Sequence, residues 1–171
     1  MHVLVATTGV LSPGPCVEFT SRLLNGVGRV TVTTVIEVPR SFLEHLGADR
    51  WHPLAEDGGA GRSNLEDDAL LAKYVEERGR KITDPIVHAL QAAGIGAEAV
   101  FLDGADPAVA ISDLADELDA DVVLLGATRQ IFDQSAWESV SARVMIESGR
   151  AVLVVPPAHK DAAAQAVSES D

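Results

Sequence analysis

The chain has 171 residues, 47% of them hydrophobic but only 4% aromatic, and 26 acidic against 13 basic side chains leave a formal net charge of −13. That length suits one domain with a core of Val, Leu, Ile and Ala. The acidic balance argues against nucleic acid and anionic membrane surfaces as partners, because both need basic patches. A single cysteine, Cys16, excludes an intrachain disulfide and any cysteine-based zinc site. With no basic neighbour in sequence, it reads as a small buried apolar residue.

The N-terminus runs directly into an apolar strand, without a basic leader or cleavage site, and no stretch approaches the ~18 apolar residues of a membrane helix. The expected setting is the cytoplasm. His2–Thr7 (HVLVAT) is a short apolar strand of the sheet interior. Pro15 suits the first turn of a helix capped by Ser12 or Gly14, with Val17, Phe19, Leu23 and Leu24 inward and Asn25-Gly26 at its end. Arg29–Val38, rich in β-branched residues, is a second strand stopped by Pro39. Residues 39–64, with Gly58, Gly59, Gly61 and Pro53, read as a long flexible loop.

Leu65–Ala93 has helical spacing, and Pro85 within it predicts a kink or split with Thr83 or Asp84 capping the second piece. Ala97–Leu102 is a third strand. Asp106-Pro107 then starts a helix, whose inward face is Ile111, Leu114, Ala115 and Leu118. Val122–Leu125 is a continuous apolar strand ended by Gly126. Ser135 and Glu138 form a capping box, followed by Trp137, Val140 and Val144 on one helical face. Gly149 closes that helix, and Ala151–Val155 is a last apolar strand before Pro156-Pro157. Strict alternation of strand and helix implies a parallel sheet covered on both faces by right-handed crossovers. The domain spans 1–157, with an insertion near 39–64 and a loose tail over 158–171.

Three stretches resemble the universal stress protein family: VLVATTG at 3–9, GADPAVAISDLADELDADVVLLGATR at 104–129, and SVSARVMIESGRAVLVVP at 139–156. The resemblance implies an α/β fold with an open five-stranded parallel sheet in the order 3-2-1-4-5, Rossmann-like, with helices on both faces. It also implies a homodimer formed where the last strands of two chains meet, here Ala151, Val152, Leu153, Val154 and Val155. An exposed apolar edge of that kind is normally covered; the alternative cover is the chain's own C-terminal tail.

Members of the family that bind ATP resemble one another in a loop written Gly, two residues, Gly, nine residues, Gly, then Ser or Thr. Gly126 matches the first glycine. Arg129 stands at the second, and Glu138-Ser139 stands where Gly-Ser would be, one residue early. The family's Asp after the first strand is Thr8. The candidate nucleotide pocket is therefore Thr7, Thr8, Gly9, Ile36, Gly126, Thr128, Arg129, Ser139, Val140 and Ser141. Glu138 would repel a triphosphate, at roughly 4 kcal/mol per unit-charge pair ~4 Å apart before screening. Arg129 would partly offset this. The expectation is a degenerate pocket with no cofactor, in a non-enzymatic stress-response module; ATP or AMP is the alternative ligand, with at most slow hydrolysis.

Other chemistry finds little support. His2, His45, His52, His88 and His159 are scattered without metal-ligand spacing, and no G-x-S-x-G turn follows a strand. Ser139 and Ser141 read as local hydrogen-bonding residues of a helix start. Asp113, Asp116, Glu117, Asp119 and Asp121 read as a solvated acidic face.

Overall fold

The chain begins with a strand, His2–Ala6, in which every residue is buried. A strand without an exposed side needs neighbours on both edges and helices on both faces. The computed structural model describes residues 1–39, 60–126 (side chains from 67) and 140–155, and it supplies both. The elements are β1 (His2–Ala6), α1 (Pro13–Leu24), β2 (Arg29–Ile36), α2 (Ala60–Ala92), β3 (Ala97–Asp103), α3 (Pro107–Glu117), β4 (Val122–Gly126), α4 (Val140–Glu147) and β5 (Ala151–Val155). The five strands are parallel in the order β3-β2-β1-β4-β5, as expected. Val3 sits opposite Val30 on one side and Val122 on the other.

Alternate residues of the strands feed two cores. Val3, Val5, Val30, Val32 and Leu124 pack under Cys16 and Leu24 of α1 and Ile86, Val87 and Leu90 of α2. Leu4, Ala6, Val123 and Leu125 meet Ala108, Ile111, Leu114 and Ala115 of α3 and Val144 of α4. Cys16 is fully buried, its Sγ 4.0 Å from Thr20 Oγ1, and burial pushes the thiol up to about 11. Such a thiol is inert at neutral pH.

Several boundaries differ from the sequence reading. Ser12 is the N-cap of α1, but Pro13 takes the first helical position and the Ser12 hydroxyl makes no capping bond. The buried residues of α1 are Cys16, Thr20 and Leu24; Val17, Phe19 and Leu23 are only partly buried against the same core. Helix α2 already includes residues 60–64, which the sequence assigns to the irregular stretch. Pro85 does not split it. An interior proline costs about 3 kcal/mol. Ile86, Val87 and Leu90 follow immediately and are buried, at about 1.5–3 kcal/mol each, so burial wins. Thr83 accordingly caps nothing: its hydroxyl donates to the Gly79 carbonyl one turn back, at 3.1 Å. The expected loop over 40–59, the Ser135–Glu138 capping box, Trp137 and the tail from 158 lie outside the described residues.

At the N-terminal end of the sheet the acidic face proves partly structural. Arg150 binds Asp116 and Asp119, each at 2.9 Å, and the Asp121 carboxylate accepts the His2 backbone N–H at 2.6 Å. Asp113 and Glu117 are the exposed remainder. The His2 ring is buried too: Nδ1 lies 3.0 Å from Arg29 Nε and 3.1 Å from the Leu118 carbonyl, and Nε2 lies 2.9 Å from Thr31 Oγ1. Among the described residues no helix is long and apolar enough to cross a membrane, and no group of three or more His, Cys, Asp or Glu side chains could hold a metal ion.

Candidate functional site

The order of strands reverses beside β1: the chain builds β2 and β3 outward on one side, then crosses to β4 and β5 on the other. Loops diverge at the C-terminal ends of strands flanking such a switch point and leave a crevice. Here that crevice is a cavity of about 320 Å³ between the ends of β1, β2 and β4. It lies at the small end of the roughly 300–1,000 Å³ common for ligand pockets.

One wall is the β1–α1 loop. Thr7 Oγ1 accepts the Gly9 N–H at 2.9 Å, and Gly9 takes φ +90, turning the chain sharply off the sheet. Leu11 is thereby laid, buried, over the end of β4. A side chain at Gly126 would place Cβ 3.2 Å from Leu11 Cβ and 3.3 Å from Leu11 N. Gly126 is thus explained by this close approach of loop to strand.

The opposite wall is the start of α3. Asp106 caps it, accepting from the N–H groups of Ala108 and Val109, and Pro107 occupies the first helical position. The same carboxylate receives Arg143 of α4, whose Nη1 lies 2.8 Å from both Asp106 oxygens. This clamp sets α4 against α3 and so fixes the Val140 and Ser141 side of the cavity. Arg143, hydrogen-bonded to it, holds the Asp106 carboxyl below its ordinary range, aided by the two backbone N–H groups. A lowered folded-state pKa stabilises the fold above the unfolded value, and the contribution disappears as pH falls through the folded one. Asp106→Asn keeps a capping oxygen but removes the charge. It should destabilise the protein near neutral pH, with the gap to the wild type closing as pH drops below the usual carboxylate range in urea titrations. A pH-independent gap would mean that the charge does not act.

Of the predicted site residues, Thr7, Thr8, Gly126, Val140 and Ser141 line the cavity together. Gly9 instead borders a neighbouring cleft. Ile36 is buried at the end of β2, next to Thr34 and Val35, which line the cavity. Thr128, Arg129 and Ser139 lie outside the described residues. Sequence reasoning missed Val10, Leu11, Pro107 and Ile111, although Asp106-Pro107 marked a helix start at this level of the sheet.

The described lining carries no ionisable side chain. Its polar groups are the hydroxyls of Thr7, Thr8, Thr34 and Ser141 and the backbone. The Thr34 hydroxyl is buried and has no hydrogen-bond partner among the described residues. The described lining offers a triphosphate no cationic side chain. The one matching glycine serves Leu11, and the N–H groups at the start of α3 already bind a carboxylate.

Comparison with known proteins places this arrangement. The hypothetical protein MJ0577 superposes with a TM-score of 0.61 at 16% identity, over 93% of this chain and 97% of that one. A universal stress protein in complex with cAMP gives 0.57 at 22%, over 92% and 98%. A universal stress protein family member from Burkholderia pseudomallei gives 0.56 at 16%, over 92% and 96%. At these identities the likeness is one of fold. No curated protein sequence matches the chain. The model of the universal stress protein family matches residues 1–156, and the chain belongs to that family.

Proposed function

We propose that this protein is a non-enzymatic regulatory module of the stress response, cytoplasmic and homodimeric, whose cavity takes a small uncharged group in place of a nucleoside triphosphate. The observation that carries this reading is the lining: hydroxyls and apolar side chains, with no charged side chain among the described residues to meet phosphates.

The second reading is an ATP- or AMP-binding regulator with at most slow hydrolysis. It is favoured by the relative crystallised with cAMP and by Gly126 and Ser141 on the cavity wall. A native mass spectrum of the gently purified protein separates the two. A neutral small-molecule adduct, or no nucleotide mass, is expected; an ATP or AMP adduct supports the second reading.

Homodimerisation rests on β5, an edge strand whose Val152, Leu153 and Val154 are half-buried. Val154→Arg should turn the dimer into monomers in light scattering, with the circular dichroism unchanged. A dimer that persists would refute pairing through this edge.

A further inference from the structure

Beside the central cavity, and sharing Leu11 with it, lies a cleft of about 630 Å³ between the β1–α1 loop and α2. Its rim carries Arg78 and Lys81, one helical turn apart. In so acidic a chain their state is unusual. Every other described Lys or Arg side chain meets a carboxylate or, for Arg29, His2. Among the described residues Arg78 and Lys81 meet no carboxylate; Arg78 only stacks over Tyr74, its Cζ 5.2 Å from the ring centroid. Glu77 also lines the cleft, but Lys73 lies 3.8 Å from its carboxylate and partly neutralises it.

The third positive contribution is α1. Pro13, at its first position, borders the cleft, its first turn holds no acidic residue, and no side chain caps it. The positive end of the helix dipole is therefore left unneutralised toward the same space. Two cations that meet no carboxylate among the described residues, and an uncapped helix start, form around one cleft a field that a small anion would complete.

We infer that this cleft is an anion-binding site, separate from the central cavity, for a small organic anion bearing a phosphate or carboxylate group, held by Arg78 and Lys81. Both side chains are exposed, so affinity is modest and falls with salt. The site joins α2 to the β1–α1 loop, so the bound anion would steady Leu11, which walls the central cavity.

The test is an amide NMR titration of the full chain with inorganic pyrophosphate and, separately, succinate, each against sodium chloride at equal ionic strength. Saturable shifts at Gly9, Gly14, Arg78 and Lys81 are expected, with the stronger of the two probes telling phosphate from carboxylate chemistry. Arg78→Gln or Lys81→Gln should weaken binding roughly tenfold, and Lys81→Arg should largely retain it. Shifts reproduced by sodium chloride, or unchanged in the double glutamine variant, would overturn the site. Shifts confined to Thr34 and Ser141 would report the central cavity instead, so failure here is distinguishable from failure of the proposed function.

Discussion

Leu4→Ala should cost about 3–5 kcal/mol of stability, the range for emptying a wholly buried leucine position that cannot collapse. Leu4 is fully buried at the centre of β1, hydrogen-bonded into β2 and β4 on either side and packed under α3 and α4. Strands held on both edges have little freedom to close over a lost side chain. In a protein of this size each kcal/mol moves Tm by roughly 2–4 °C, so a fall of about 6–20 °C is expected. Urea unfolding should show the midpoint lowered at constant slope. A loss below about 1 kcal/mol would contradict the placement of β1 at the middle of the sheet.

Gly28→Ala should cost about 2–4 kcal/mol. Gly28 has φ +152, and an added Cβ would collide with the Met1 carbonyl and with Leu24 Cδ2. The leucine methyl can shift. The carbonyl cannot readily do so, because it accepts the Arg29 N–H at 3.1 Å where β1 and β2 begin their pairing. Gly94→Ala is the control: its φ is +76 but nothing lies within 4 Å of the added Cβ. That change should cost only about 1 kcal/mol, the strain of a left-handed alanine. Thermal unfolding of the pair separates collision from backbone strain, and equal losses would refute the close approach at Met1.

The sheet was legible because its signals are local and redundant. Val122–Leu125 and residues 3–6 are uninterrupted apolar runs, as expected of strands buried on both faces. Asp106-Pro107 states a helix start in two residues, and the Asp106 carboxylate caps as expected. Continuity of α2 through Pro85 was not legible, since it depends on Ile86, Val87 and Leu90 finding a core that only the folded sheet provides. The site was half legible. Thr7, Thr8 and Gly126 end strands that meet at the reversal of strand order. Relative strand ends depend on register, which apolar runs do not state: Ala6 stands opposite Thr33, and this brings Thr34 and Val35 to the level of the cavity. The role of Gly126 was hidden for a similar reason, since the residue it makes room for, Leu11, lies far away in the chain.

The proposed function requires that the cavity where the strand order reverses beside β1 does not hold a nucleoside triphosphate. Calorimetric titration of the intact protein with ATP and magnesium tests it most directly, with cAMP titrated alongside. The lining of hydroxyls and apolar side chains predicts no saturable heat for ATP at micromolar concentration and no thermal shift on its addition. A micromolar complex with ATP, with one site per chain and lost on Gly126→Val, would contradict it.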